Sequence, residues 1–227
     1  IRDSVCNAPG TNSNAVAELA MGLMLCCARS LPYHFANTKQ KLWKNDRNGM
    51  ELTGKTLGIL GLGAIGKELA KKAAAFGMKV LGYSRHIDES FCKEYGIIPA
   101  DRETILQESD VISLHMPQTP LTKESINKEA FAQMKKGVIL INTSRGYLVN
   151  RADLVDAIKA GIVAFYGTDV MQEEPPETDD PLFSLDEVVI TPHMGASTEE
   201  AHIKMMDVAM TNALDILEGK ACKNIVN

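Results

Sequence analysis

The chain has 227 residues, 45% hydrophobic and 23% charged, with a formal charge of −5. That is ordinary globular material with ample core, and its negative balance gives nucleic acid or an anionic membrane no general electrostatic reason to bind. The five cysteines (Cys6, Cys26, Cys27, Cys92, Cys222) form no C-x-x-C pair, which argues against a disulfide framework or zinc site and for a reducing, cytoplasmic setting. They read as packed small residues.

No charged leader precedes an apolar core at the start, and no uninterrupted apolar run is long enough to span a bilayer. The chain opens at Ile1 without a methionine and enters Val5-Cys6-Asn7-Ala8-Pro9-Gly10 with no strand partner before it. It reads as the middle of a longer protein. A first helix is expected from Asn14 to Ser30, capped by Asn12 or Ser13 and followed by Pro32. Its apolar residues cover most of its circumference, as in a helix buried at a domain or subunit contact. A short second helix is expected over His34 to Trp43.

From Lys55 onward, short apolar runs alternate with helical stretches. Strands are expected at Thr56–Leu60, Lys79–Tyr83, Val111–Leu114, Val138–Ile141, Ile162–Gly167 and Val188–Ile190. Helices are expected at Ile65–Phe76, Arg102–Glu108, Lys128–Met134 and Arg151–Ala160. Strands apolar on both faces belong to a parallel sheet covered on two sides. The pattern predicts an α/β fold, a Rossmann-type doubly wound parallel sheet. A last helix opens at Ser197-Thr198-Glu199-Glu200 and stops near Gly219.

The first strand runs into Gly61-Leu62-Gly63-Ala64-Ile65-Gly66 and then a helix. Strand, G-x-G-x-x-G and helix in that order form a dinucleotide fingerprint. Gly61 permits the turn, Gly63 the approach of a pyrophosphate and Gly66 close helix packing, while the helix N-terminus offers its N–H groups to phosphate. At the end of the second strand, where an acid would bind a ribose 2′-hydroxyl, stands Tyr83-Ser84-Arg85-His86. Ser84 and Arg85 suit a 2′-phosphate and so lean toward NADP. In the alternative, Arg85 is solvated and Asp88 serves NAD.

Three polar clusters follow the fourth, fifth and sixth expected strands: Asn142-Thr143-Ser144-Arg145-Gly146, Thr168-Asp169 through Glu174-Pro175, and Thr191-Pro192-His193-Met194-Gly195. Ligands of open parallel sheets sit beyond the carboxyl ends of the strands, so Arg145, Glu174 and His193 converge on the cofactor edge. Histidine can take and return a hydroxyl proton near neutral pH, a carboxylate beside it stabilises the imidazolium, and an arginine fork holds a substrate carboxylate. Salt bridging or loop capping would be the structural alternative. His34, His86, His115 and His202 lack this context and read as structural or solvated.

In combination, Asn7-Ala8-Pro9-Gly10-Thr11-Asn12-Ser13, Gly54-Lys55-Thr56-Leu57-Gly58-Ile59-Leu60-Gly61-Leu62-Gly63, Arg145-Gly146, Glu174-Pro175 and Pro192-His193-Met194-Gly195-Ala196-Ser197-Thr198 resemble the D-isomer-specific 2-hydroxyacid dehydrogenases, and among them the phosphoglycerate dehydrogenase branch. The resemblance implies Arg145 as substrate-binding arginine, His193 as acid/base and Glu174 as the carboxylate orienting it. It places Ala64, Ile65, Met116, Pro117, Thr143, Ser144, Asp169 and Gly195 around the cofactor, NAD or NADP. Members carry a further segment of roughly a hundred residues before the point where this chain begins. Residues 1–10 are then expected to be a remnant of a substrate domain, 11–196 the dinucleotide-binding domain and 197–227 a helix returning to the substrate domain. The resemblance implies a small 2-hydroxy acid substrate such as 3-phosphoglycerate, glyoxylate or hydroxypyruvate, and a homodimer with neither nucleic-acid nor membrane partner. The competing reading is a nucleotide-sensing corepressor of the C-terminal-binding-protein type, which shares the fold and the three side chains.

Overall fold

In the computed structural model, which describes residues 4–227, seven parallel strands form one sheet. The first three residues of the expected N-terminal remnant lie outside the described residues. The strands are β1 (Thr56–Leu60), β2 (Lys79–Tyr83), β3 (Ile98–Pro99), β4 (Val111–Leu114), β5 (Val138–Asn142), β6 (Val163–Thr168) and β7 (Val188–Ile190), in the order β3-β2-β1-β4-β5-β6-β7. The order reverses between β1 and β4, and a crevice opens beyond their carboxyl ends at that switch point.

The apolar alternation within strands sorts the two faces. Along β5, Val138 and Leu140 join one buried cluster while Ile139 and Ile141 join the other. The first cluster is closed by α5 (Arg102–Glu108), α6 (Lys128–Phe131) and α7 (Arg151–Lys159), the second by α1 (Ser13–Ala28), α3 (Ala64–Ala75) and α4 (Glu89–Tyr95). Each buried Leu or Ile contributes roughly 1.5–3 kcal/mol relative to an exposed one, so the sheet sits where the chain's hydrophobic residues are densest.

Helix α1 lies against α3, β5, β6 and β7. Ala17, Ala20, Met24 and Cys27 on it are fully buried, so the broad apolar surface read in the sequence is covered largely by this chain's own sheet. The expected cap is corrected: Asn12 stands at the N-cap but makes no side-chain hydrogen bond. The second helix, α2, spans Leu31–Lys39, earlier than expected, because Pro32 falls in its first turn, where a missing N–H costs nothing. Helix α4 and the two-residue edge strand β3 were not expected. The C-terminal helix α8 (Glu199–Leu217) is capped by Thr198, whose Oγ1 accepts the Ala201 N–H at 3.1 Å. Only Ala201 and Asn212 of α8 are buried, and Ile203, Met206, Met210, Leu214 and Leu217 form an exposed apolar stripe. Among the described residues no single helix is long and apolar enough to cross a membrane.

Candidate active site at the strand carboxyl ends

Two cavities flank the carboxyl ends of the strands. The first, about 400 Å³, is lined by Gly61, Gly63, Ser84, Arg85, Arg102, His115, Met116 and Pro117 among others. Gly61 takes φ +111°, and a Cβ there would stand 2.5 Å from the His115 carbonyl, so a side chain is excluded by both conformation and space. The Tyr83 carbonyl accepts the N–H groups of Gly61 and Leu62 at 3.0 and 2.9 Å, which fixes the turn against β2. A Cβ on Gly66 would overlap the Gly61 carbonyl, whereas at Gly63 it would meet nothing within 4 Å. Gly63 is the N-cap of α3 and supplies no side-chain cap, and no acid stands in the first turn. Ala64 and Ile65 open that helix. The turn is therefore an uncapped, unobstructed helix N-terminus, suited to a phosphate.

Ser84 and Arg85 follow β2 and line this cavity, as does Arg102, whose guanidinium donates to the Ser125 carbonyl at 2.6 Å. Asp88, the acid offered as an alternative ribose ligand, is engaged elsewhere. It caps α4 by accepting the Phe91 N–H, takes the Ser90 hydroxyl and pairs with Lys67. Those bonds, the Lys67 one foremost, hold its carboxyl well below the usual range. Of the two readings offered for His115, the structure takes the structural one and adds a place in the cavity lining. Its Nε2 lies 2.9 Å from Ser113 Oγ, it lines the cavity, and burial pushes its imidazole down to about 4.

The second cavity, about 580 Å³, is lined mostly by apolar groups of Met171, Pro175, Pro176, Leu182, Phe183, Val188, Ile190 and Pro192, with Asp169, Glu174 and His193 at one side. Glu174 Oε2 lies 2.8 Å from His193 Nδ1, while its Oε1 accepts the Met171 N–H at 3.1 Å. These two side chains, 19 residues apart, form a directed pair that leaves Nε2 of the imidazole to exchange protons.

The loop bearing His193 is tied to the end of β6 by Asp169. Its Oδ2 accepts the N–H groups of Met194 at 3.2 Å and Gly195 at 2.8 Å. Gly195 lets the loop settle there, since a Cβ would stand 3.0 Å from that oxygen. Asp169 Oδ1 and Thr143 Oγ1 are buried without a hydrogen-bond partner among the described residues. Burial raises the Asp169 carboxyl. Such orphans are rare in folded proteins, and two at one strand edge fit a polar ligand with both donor and acceptor capacity, as an amide has.

Arg145 stands at the end of β5 and begins a short 3₁₀ turn. Asn142 holds this corner by donating to the Arg145 carbonyl at 3.0 Å and accepting the Ser144 N–H at 3.1 Å, and the Ser144 hydroxyl bonds the Met116 carbonyl after β4. The guanidinium is exposed and, among the described residues, donates only to the Ser144 carbonyl, at 2.6 Å. The structure thus joins Glu174 and His193 directly and leaves Arg145 unbonded to either. Gly146, singled out only as part of a motif, has a definite duty: a Cβ there would overlap the Met171 backbone, so two loops touch main chain to main chain.

Residues 21–195 match the family described as "D-isomer specific 2-hydroxyacid dehydrogenase, NAD binding domain". The chain is 42% identical over 225 residues to a D-3-phosphoglycerate dehydrogenase from Methanocaldococcus jannaschii, covering 98% of this chain and 43% of that protein. It is 47% identical over 201 residues to a hydroxypyruvate reductase from Thermotoga maritima, covering 87% and 64%. A D-lactate dehydrogenase with NAD⁺ from Lactobacillus jensenii superposes with a TM-score of 0.89 at 30% identity, over 99% of this chain and 72% of that one. The chain spans less than half the length of the phosphoglycerate dehydrogenase it matches.

Proposed function

The chain belongs to the D-isomer-specific 2-hydroxyacid dehydrogenases, and from that premise we propose that it carries the cofactor site and acid/base machinery for interconverting a small D-2-hydroxy acid and its 2-oxo acid. The observation that carries the proposal is the Glu174–His193 pair, held at 2.8 Å on the same sheet edge as the uncapped N-terminus of α3. Residues 11–196 are assigned to the dinucleotide-binding domain, and 1–10 and 197–227 to a substrate domain.

In the oxidising direction, His193 Nε2 takes the proton of the substrate 2-hydroxyl. Its Nδ1–H donates to Glu174, whose carboxylate stabilises the imidazolium that forms. In the reducing direction the same nitrogen returns the proton to the substrate oxygen. Arg145 binds the substrate carboxylate through its exposed guanidinium. The dinucleotide, when bound, supplies the hydride acceptor or donor. It would be held by Gly61, Gly63, Ala64, Ile65 and Gly66 at its phosphates, by Ser84, Arg85, Met116 and Pro117 at its adenosine end, and by Thr143, Ser144, Asp169 and Gly195 at its nicotinamide end. The orphaned oxygens of Asp169 and Thr143 support that last assignment.

The family's domain binds NAD. Within that class we assign this chain a preference for the 2′-phosphorylated form, because Arg85 and Arg102 line the adenosine cavity with no carboxylate among its lining residues and Asp88 is committed to Lys67. The substrate proposed first is 3-phosphoglycerate, then hydroxypyruvate or glyoxylate. A homodimer in the cytoplasm, with neither nucleic acid nor membrane as partner, completes the proposal. Steady-state turnover of the intact protein with these acids and both cofactors tests it. Tight nucleotide binding with no turnover of any 2-hydroxy or 2-oxo acid would overturn it in favour of the nucleotide-sensing reading.

A further inference from the structure

Cys6 and Cys222 lie 216 positions apart in the chain, yet their sulfur atoms are 3.8 Å from one another. Both are half-buried free thiols. Backbone and side-chain bonds hold them there. Cys6 forms an antiparallel bridge with Ile225, the Asn7 N–H donates to the Asn224 carbonyl at 3.1 Å, and the Val226 N–H donates to the Val5 carbonyl at 2.8 Å. A turn at Lys223 and Asn224 separates Cys222 from that bridge.

Asn212 fastens the same junction from α8. Its side chain is 5% exposed, and its Nδ2 donates to the Asn7 carbonyl at 2.9 Å. Its Oδ1 accepts from Asn224 Nδ2 at 2.9 Å and from the Cys222 thiol at 3.4 Å. The two sulfurs are thus positioned by flanking segments on either side. A disulfide requires a sulfur separation of about 2.05 Å, so closure asks for an approach of roughly 2 Å, within reach of rotamer changes at two short side chains. The remaining cysteines offer no comparable arrangement: Cys27 and Cys92 are buried, and Cys26 is the immediate neighbour of Cys27.

We propose that Cys6 and Cys222 are a reversible disulfide site that clasps residues 5–7 to residues 222–226 at the foot of α8. The oxidant is a low-molecular-weight disulfide. One of the two thiols loses its proton to solvent, and the thiolate attacks a sulfur of the added disulfide, releasing one small thiol and leaving a mixed disulfide. The second thiolate then displaces the remaining small thiol, forming the Cys6–Cys222 bond. Two protein hydrogens are lost, and the two electrons reside in the two small thiols released. Partial burial and the adjacent Cys222 push the Cys6 thiol up, so attack by Cys6 is slower than by an ordinary thiol at neutral pH.

The proposal does not depend on the catalytic reading, and neither cysteine belongs to the site assigned to it. Its test is a titration of the intact, folded protein with oxidised glutathione, followed by alkylation, intact-mass measurement and peptide mapping. The expected result is loss of two alkylatable thiols, a peptide joining Cys6 to Cys222, and slower amide exchange at residues 5–7 and 222–226. Reduction should restore both thiols. Cys6→Ser and Cys222→Ser should each abolish the link, the remaining cysteine ending as a mixed disulfide with glutathione. Stable mixed disulfides on both residues of the unaltered protein, a link formed only after denaturation, or a link that leaves amide exchange at the two segments unchanged would each overturn the proposal.

Discussion

The two ends of the crevice are built by opposite means. At the His193 end, side chains are fixed by bonds to main chain: Glu174 holds the Met171 N–H with one oxygen and the imidazole with the other, and the buried Asp169 gathers the amides of Met194 and Gly195. At the Ser84–Arg85 end, an exposed arginine on a loop supplies charge to a cavity with no carboxylate among its lining residues. Proton transfer tolerates little positional slack, so that end is held by short directional bonds. Under the proposed reading the other end recognises a phosphate, which tolerates more because charge acts over a longer range, so that end can be altered without disturbing the fold.

The most severe break in this contrast comes from His193→Gln. If the imidazole moves the proton, turnover of the intact enzyme falls by ~10²–10⁴ with cofactor affinity within severalfold. A loss below threefold, with chemistry limiting, removes His193 from the role. Arg85→Ala acts at the other end and should leave turnover with saturating cofactor nearly unchanged. It should erase most of a preference for NADPH over NADH that a charge-assisted pair makes about tenfold to a hundredfold, some 1.5–3 kcal/mol. Dissociation constants for both reduced cofactors decide this, and a clear preference of the unaltered protein for NADH means that Arg85 faces solvent.

Glu174→Gln sharpens the contrast further by retaining shape and removing charge. Without the carboxylate the imidazolium that forms during proton transfer loses its counter-charge, so turnover should drop while cofactor affinity is nearly unchanged. Turnover within threefold of the unaltered enzyme would reassign Glu174 to a structural bond. The smallest effect is expected from His115, whose imidazole is pushed below its ordinary 6.5 to about 4 by burial. The unfolded chain then takes up the proton first as pH falls. Stability is complete above about pH 6.5, declines between there and about 4, and loses nothing more to this group below. Chemical denaturation across that interval, compared with His115→Asn, should show a flatter decline in the variant. Parallel curves would mean that the ring accepts its proton in the folded state.

What could be read from the residues follows from how local each signal is. Strands such as Val111–Leu114 and the turn at Gly61 announce themselves within a few positions, and the structure has them where the sequence puts them. Helix α4 did not, because Glu89–Tyr95 is short and polar with one buried residue, Cys92. Strand β3 escaped notice because two exposed residues, one of them proline, carry no alternation. In the site, types with distinctive chemistry were visible, whereas partnerships were not. Asp88 could be read from the sequence only as an alternative ribose ligand, and its helix cap and its pairing with Lys67, 21 positions earlier, emerge only in the fold. Nothing near Cys6 in the sequence points to Cys222, and nothing about His115 says that the chain will fold it into a cavity wall.

The contact at Gly146 bears on how natural variation in this chain should be interpreted. A methyl group there would intrude on the main chain of Met171, three residues ahead of Glu174, with no flexible side chain able to yield. Evolution should therefore police position 146 as strictly as position 193, although a glycine donates no proton, binds no anion and holds no charge. Invariance there would record a joinery constraint between two loops, and someone ranking positions by invariance alone would mistake a spacer for a reagent.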